Sequence, residues 1–354
     1  MKSLERWKHC VVNVEFGQSD GETKDRQAGT AFFIIYKKKY FLVTAAHLII
    51  DKKVGSDKPV YAQIFRQMLR VPLLSELNDE NKRKIITKNF YFDEKGQLFQ
   101  QKTPKGIPYQ HNGEDIAAPK FIQLSESIES EYAAVTISEE NDIAIISLRG
   151  RLGEIFTKMF WNEPILVEEL LLLGYQPISI DELGQEPSQE GAEIITVGYP
   201  SHISRVDKRY EIIGKYEMFF STDVTLPCFT FGKISMVSPD LPFFWGDLRV
   251  YIGNSGCPVI EDEKIVGIVT HDAVIEENNK LNNVPFAKAT KAKFIPDMLE
   301  EQMKKDEKFI DPTTLHKRYP NMFASPEEIA ETEKKLKLHK RKKPLRIRQE
   351  IRDS

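Results

Sequence analysis

Gly253-Asn254-Ser255-Gly256-Cys257-Pro258 reads GNSGCP and lies between the apolar runs LRVYI and VIEDEKIVGIV. Taken alone it reads as a turn, because glycine and asparagine tolerate positive φ and a serine hydroxyl bonds its own backbone. The other reading makes Ser255 a nucleophile. A nucleophilic serine needs a base beside it and an acid to orient that base.

Both partner types stand upstream in suggestive places. His47 ends the run FLVTAAH, where a strand delivers a histidine just past its end, after two small alanines that leave room for the ring. Asp142 opens the apolar run NDIAIISL, a half-buried strand start from which a carboxylate can accept from an imidazole. A second acid, Asp115 in GEDIAAPKF, shares the Asp-Ile-Ala pattern, but Pro119 would interrupt a strand there.

Around these residues the chain alternates short apolar runs with turns. VVNVEF, AGTAFFIIY and KYFLVTAAHLI come first, with Tyr36-Lys37-Lys38-Lys39 as a hairpin tip. AAVTI, DIAIISL, EIITVGYP, RYEIIGKYEMFF, TFGKISMV, DLRVYIG, CPVIED and KIVGIVT follow. ILVEELLLL (165–173) suits a strand or a short helix. Such a succession predicts an all-β barrel or sandwich. Residues 51–130 are polar and poorly periodic and read as an elaborated insertion, with a possible helix at Pro72–Lys88 and a possible strand in NFYFDEKGQLFQ. Near the end a helix is expected from about Ile295, with Pro296 in its first turn. Ser325-Pro326-Glu327-Glu328 is a capping box that opens a further helix.

Composition bounds the rest. The 354 residues suffice for about two domains, and 41% hydrophobic with 29% charged residues is ordinary for a globular chain. No apolar run approaches the roughly 20 residues that span a bilayer. The opening MKSLERWKHC is too polar for a secretory signal. Cys10, Cys228 and Cys257 are far apart, with neither metal-ligand spacing nor the number for a disulfide framework. A reducing compartment, and so a cytoplasmic location, is expected. The net charge of −3 hides an asymmetry: Lys334–Arg348, KKLKLHKRKKPLRIR, holds many of the chain's 50 basic residues and no acid. That tail suits a solvated face, a nucleic-acid phosphate backbone, or a protein or anionic membrane partner.

TAAH, DIAIISL and GNSGCP, in that order among short strands, resemble the trypsin-like (chymotrypsin-fold) serine endopeptidases. Gly29-Thr30-Ala31-Phe32, Val197-Gly198-Tyr199-Pro200, Gly232-Lys233-Ile234-Ser235, Gly267-Ile268-Val269-Thr270 and Phe286-Ala287 extend the likeness, the last toward the DegP/HtrA-like branch, although no PDZ-like region follows. The resemblance implies a double β-barrel: residues 1–150 carrying His47 and Asp142 with the 51–130 insertion, residues 151–304 carrying Ser255 and a closing helix, and a helical basic tail over 305–354. It implies a Ser255–His47–Asp142 triad, an oxyanion hole of the Gly253 and Ser255 N–H groups, polypeptide substrates, and no metal or organic cofactor. It places the primary pocket near Arg249 to Ile252 and Thr270 to Ala273, where Arg249 or His271 would favour an acidic side chain and Asp272 a basic one. Asn254 stands where the family's zymogens carry an acid, so trypsinogen-like activation is not expected. Two other readings stay open: a protease-like scaffold that binds peptides without cutting them, and an adapter whose basic tail binds nucleic acid.

Overall fold

The computed structural model describes residues 4–18, 27–50, 131–149, 166–172, 174–201, 205–208, 223–277 and 280–310, short strands between 60 and 125, and helical positions 327, 330, 331 and 334. The expected helix Pro72–Lys88, the run RYEIIGKYEMFF, the cap serine Ser325 and most of the basic tail lie outside the described residues. The chain divides into two compact units, Met1–Gln302 and Met303–Ser354.

The first unit is built from two β systems, as expected of an all-β chain. Strands β1 (Val11–Gln18), β2 (Gln27–Tyr36) and β3 (Lys39–Ala45) form an antiparallel meander. The β2–β3 tip has two central residues, Lys37 and Lys38, at φ 46° and 66°. Both signs match the type I′ turn that suits the twist of a two-residue hairpin. Between β3 and the next long strands come β4 (Val60–Phe65), β5 (Phe90–Phe92), β6 (Leu98–Gln100), β7 (Tyr109–His111), β8 (Glu114–Ile116) and β9 (Lys120–Ser125). β4 and β9 are not separate from the core sheet: β4 pairs with β1, and β9 pairs with β4. β5–β6 and β7–β8 are small hairpins of their own, the former within NFYFDEKGQLFQ.

β10 (Val135–Ser138) and β11 (Ile143–Ser147) complete the first sheet, whose order is β10-β11-β3-β2-β1-β4-β9, with β12 (Ile178–Ser179) parallel to β2. Alternate residues such as Val12, Val14, Phe33, Leu42, Ala144 and Ile146 share one apolar cluster. Their neighbours Phe32, Ile34, Phe41, Val43, Ile143 and Ile145 are fully buried too. A sheet covered on both faces needs apolar residues on both, so these strands read as unbroken apolar runs rather than alternating ones. The ambiguous run at 165–173 is helical over Leu166–Leu172 and contributes Val167 and Leu170 to that cluster.

The second system comprises β13 (Glu193–Gly198), the small ribbon β14 (Arg205–Lys208) and β15 (Asp223–Thr225), then β16 (Cys228–Val237), β17 (Phe243–Gly246), β18 (Pro258–Glu261), β19 (Lys264–Glu277) and β20 (Lys280–Lys291). Six of these close into a barrel, in the order β13-β16-β17-β20-β19-β18. Its core holds Ile194, Ile234, Phe244, Leu248, Val250, Cys257 and Val259. Closure removes the strand edges that would otherwise invite pairing with another chain.

The expected closing helix runs Ile295–Ile310. Its buried Gln302 ties back to the first sheet: Thr136 Oγ1 donates to Gln302 Oε1 at 2.9 Å and Gln302 Nε2 donates to the Ala133 carbonyl at 3.1 Å. Glu300 accepts from Tyr36 and Lys37 at the hairpin tip. No described helix is long and apolar enough to cross a membrane.

All three cysteines are free. Burial pushes the Cys10 and Cys257 thiols up to about 12. Cys228 is also raised by burial, with Lys8 opposing, but it is only partly covered. Thiolate is the reactive form and must be reachable. Iodoacetamide at pH 8 is therefore expected to modify Cys228 first in the folded protein, with Cys10 and Cys257 reacting only after denaturation. Peptide mass spectrometry before and after guanidinium distinguishes them.

Candidate active site

Three elements that are distant in sequence converge at the junction of the two β systems. β3 ends at Ala45, and a single 3-10 turn, Ala46–Leu48, presents His47. The β10–β11 hairpin presents Asp142 from its last loop position, at φ 52°. Aspartate tolerates this left-handed conformation better than most residues. The loop is fastened by Asn141, whose backbone N–H and Nδ2 both donate to Ser138 Oγ. Asp142 Oδ1 accepts the His47 backbone N–H at 2.8 Å, and Oδ2 lies 2.8 Å from His47 Nδ1. The carboxylate therefore grips both the backbone and the ring of the histidine. His47 Nε2 lies 3.0 Å from Ser255 Oγ.

The acid that meets His47 is Asp142. Asp115 sits in β8, paired with Gln110 in a separate hairpin, while Asp142 fills the position beside His47.

The GNSG loop is held from both β systems. Thr30, on β2, donates its N–H to the Ser255 carbonyl at 2.9 Å and its hydroxyl to the Gly253 carbonyl at 2.8 Å. Thr30 Oγ1 also accepts the Tyr199 N–H, and the Thr30 carbonyl accepts from Thr44 Oγ1. Ser201, just past β13, donates twice to the Ile252 carbonyl: the N–H at 2.8 Å and the hydroxyl at 2.6 Å. In a trans peptide the carbonyl and the following N–H point to opposite sides. Anchoring the Ile252 carbonyl on Ser201 thus turns the Gly253 N–H the other way. The Gly253 and Ser255 N–H groups have no acceptor among the described residues, while those of Asn254, Gly256 and Cys257 are all engaged.

Two glycines permit this loop. Gly253 has φ +101°, and a Cβ there would lie 2.2 Å from the Tyr199 carbonyl oxygen. Gly256 has φ +88°, and its Cβ would meet the Thr30 carbonyl oxygen at 2.0 Å. Asn254 is buried, and its Oδ1 has no donor among the described residues.

The candidate pocket residues are distributed unevenly. Arg249 is exposed, alternating with Leu248 and Val250 in the barrel core. Thr270 is buried and its hydroxyl donates to the Lys288 carbonyl. Asp272 is half-buried and pairs with Ala287 across the β19–β20 ladder. His271, paired with Lys288 in the same ladder, lies with its side chain beside the His47–Asp142 pair: its ring centroid is 5.4 Å from that of His47, and its Nδ1 is 3.7 Å from Asp142 Oδ2. Burial lowers the His271 pKa, and the nearby His47 and Lys288 lower it further against the opposing pull of Asp142.

Sequence reasoning identified the three central side chains but not the supports. Thr30 belongs to the Gly29-Thr30-Ala31-Phe32 likeness and Ser201 to none, but neither stretch signals the loop it holds, which is 50 or more positions away in the chain.

No family model and no curated sequence matches this chain. Solved structures with similar folds include the Rv3671c protease from M. tuberculosis in its active form, at 13% identity and TM-score 0.38 over 83% of this chain and 81% of that one. Deg5 matches at 14% and 0.37, over 86% and 90%. The scabies mite inactivated protease paralogue S-I1 matches at 12% and 0.40, over 86% and 98%.

Proposed function

We propose that this protein is a serine endopeptidase, with Ser255 as nucleophile, His47 as general base and Asp142 as the group that orients the base. The observation that carries the reading is the unbroken relay from Asp142 through His47 to Ser255, with both hydrogen-bond distances at 3.0 Å or less. With the carboxylate accepting at Nδ1, the ring proton belongs there, and Nε2 keeps a lone pair for the serine proton. Ser255 Oγ attacks a peptide carbonyl as Nε2 takes its proton, and His47 then returns a proton to the leaving amine. Water repeats the sequence on the acyl-enzyme.

The substrate oxygen gains charge in each tetrahedral state. The unengaged Gly253 and Ser255 N–H groups are the donors for it. Their orientation is set in advance by Thr30 and Ser201, so no zymogen-style rearrangement is needed. Arg249, Thr270, His271 and Asp272 are the proposed surroundings of the substrate side chain. The reaction draws on no organic cofactor. Residues 334–348 are proposed as a contact for a nucleic acid or protein partner.

A fluorophosphonate probe tests the reading. The folded wild-type protein is expected to label stoichiometrically, Ser255→Ala not at all, and His47→Ala at a rate reduced to background. Absence of labelling in wild-type protein whose circular dichroism is that of a folded β protein would overturn the reading in favour of a peptide-binding scaffold.

A further inference from the structure

One histidine beside the relay takes no part in it. His271 projects from β19 beside the pair that activates Ser255, and its side chain is 56% exposed. Its Nδ1 makes no hydrogen bond to a described residue; Asp142 Oδ2 stands 3.7 Å from it, beyond bonding range. Asp142 Oδ1 is held by the His47 N–H, so its second oxygen faces two imidazoles at once, at 2.8 Å and 3.7 Å. One ligand atom from each of the three residues lies within 4.8 Å of the others.

We propose that His47, Asp142 and His271 form a binding site for a borderline divalent cation of the zinc class, and that its occupation switches Ser255 off. The inhibitory half of this proposal rests on the serine endopeptidase reading; the binding half does not.

The donor set is two imidazoles and one carboxylate, the combination that favours zinc over magnesium or calcium. Tetrahedral zinc with bonds of about 2.0–2.2 Å holds neighbouring ligand atoms roughly 3.3–3.6 Å apart. The observed separations of 2.8 Å and 3.7 Å bracket that range. A small opening on the His47 side and a small closing on the His271 side bring both to it, and the two imidazole nitrogens, already within 4.8 Å of each other, close to the same spacing on binding. His271 is exposed, which supplies the path of entry from solvent, and water or a substrate oxygen completes the fourth position.

The inhibitory consequence follows from the tautomer. A cation bound at His47 Nδ1 uses the lone pair there, so the neutral ring carries its single proton on Nε2. Nε2 then donates toward Ser255 Oγ instead of accepting from it, and the serine keeps its proton. Asp142 is at the same time drawn from the imidazole to the metal. His271 is the residue that converts an ordinary His–Asp pair into a three-ligand site.

The test uses full-length Ser255→Ala protein, which retains all three ligands and cannot digest itself. After chelator treatment it is titrated with Zn2+ by calorimetry, beside Ser255→Ala/His271→Ala and Ser255→Ala/His271→Gln. Loss of a residue that merely supports a metal ligand typically costs 10–100-fold in affinity, so losing a ligand itself is expected to weaken one site by at least about tenfold. The other histidines remain in every variant, so their binding cancels in the comparison. Equal Zn2+ affinity in all three proteins, or no binding to Ser255→Ala, overturns the proposal. In parallel, Zn2+ is expected to suppress fluorophosphonate labelling of wild type and EDTA to restore it, with suppression weakened at least tenfold in His271→Ala. Equal suppression in the two overturns the inhibitory role. A wild-type protein that binds Zn2+ through His271 yet never labels, even in EDTA, overturns the endopeptidase reading and upholds the cation site.

Discussion

Asp142→Asn is expected to lower kcat for peptide hydrolysis on the order of 10⁴-fold while leaving KM and the fold nearly unchanged. The size of the effect follows from the hydrogen bonds around this side chain. The His47 backbone N–H requires an acceptor, and Oδ1 supplies it at 2.8 Å. In the asparagine variant the amide oxygen takes that place, which leaves the amide NH2 facing His47 Nδ1. A donor there forces the ring proton to Nε2, the wrong tautomer for accepting from Ser255. Ser255→Ala and His47→Ala remove reacting groups themselves and are expected to lose on the order of 10⁶-fold. Because the three act as one unit, the double and triple variants should be scarcely worse than the worst single one. Steady-state kinetics on a fluorogenic peptide, with active enzyme counted by fluorophosphonate titration, measures all of them. An Asp142→Asn enzyme within tenfold of wild type would show that the relay is not the source of activity.

Gly253→Ala is the second large effect, and it acts on backbone rather than side chain. The added methyl would lie 2.2 Å from the Tyr199 carbonyl oxygen and 3.0 Å from the Ser201 nitrogen, at φ +101°. Neither neighbour is the free end of a flexible chain, so the loop itself must turn. Any turn that relieves the contact rotates the Gly253 N–H away from the position it holds opposite Ser201. Losing one oxyanion donor costs about 10²–10³ in kcat. Strain of this kind adds roughly 1–3 kcal/mol of destabilisation. Ser201→Ala is the companion: it deletes the hydroxyl donor to the Ile252 carbonyl but keeps the backbone one, so its loss of kcat should be much smaller. If Gly253→Ala retains full kcat while unfolding earlier in urea, the glycine serves the turn alone and not the reaction.

The local features of this chain were legible because each depends on a few neighbouring residues. The β2–β3 tip at Lys37–Lys38, the helix from Ile295, and the placing of His47 after one strand and Asp142 before another all follow from short-range patterning. The run at 165–173 was not, because nine apolar-rich residues satisfy either period; the chain is helical over Leu166–Leu172, with Val167 and Leu170 buried on one face. β4 and β9 were hidden within a polar, poorly periodic stretch: their pairing, β4 with β1 and β9 at the sheet edge with β4, joins residues dozens of positions apart and leaves no short-range pattern.

The sequence by itself determined which side chains are available for chemistry and which elements carry them: a serine in a glycine turn, a histidine past a strand, and an aspartate before one. Packing of the whole chain settled that Asp142 rather than Asp115 meets His47, that Thr30 and Ser201 hold carbonyls of the 252–257 loop, and that His271 stands beside the His47–Asp142 pair. The reason is physical. A strand or turn is selected by interactions over a few residues, whereas a hydrogen bond between Thr30 and Gly253 closes a separation of 223 positions. Its geometry exists only after both β systems have packed.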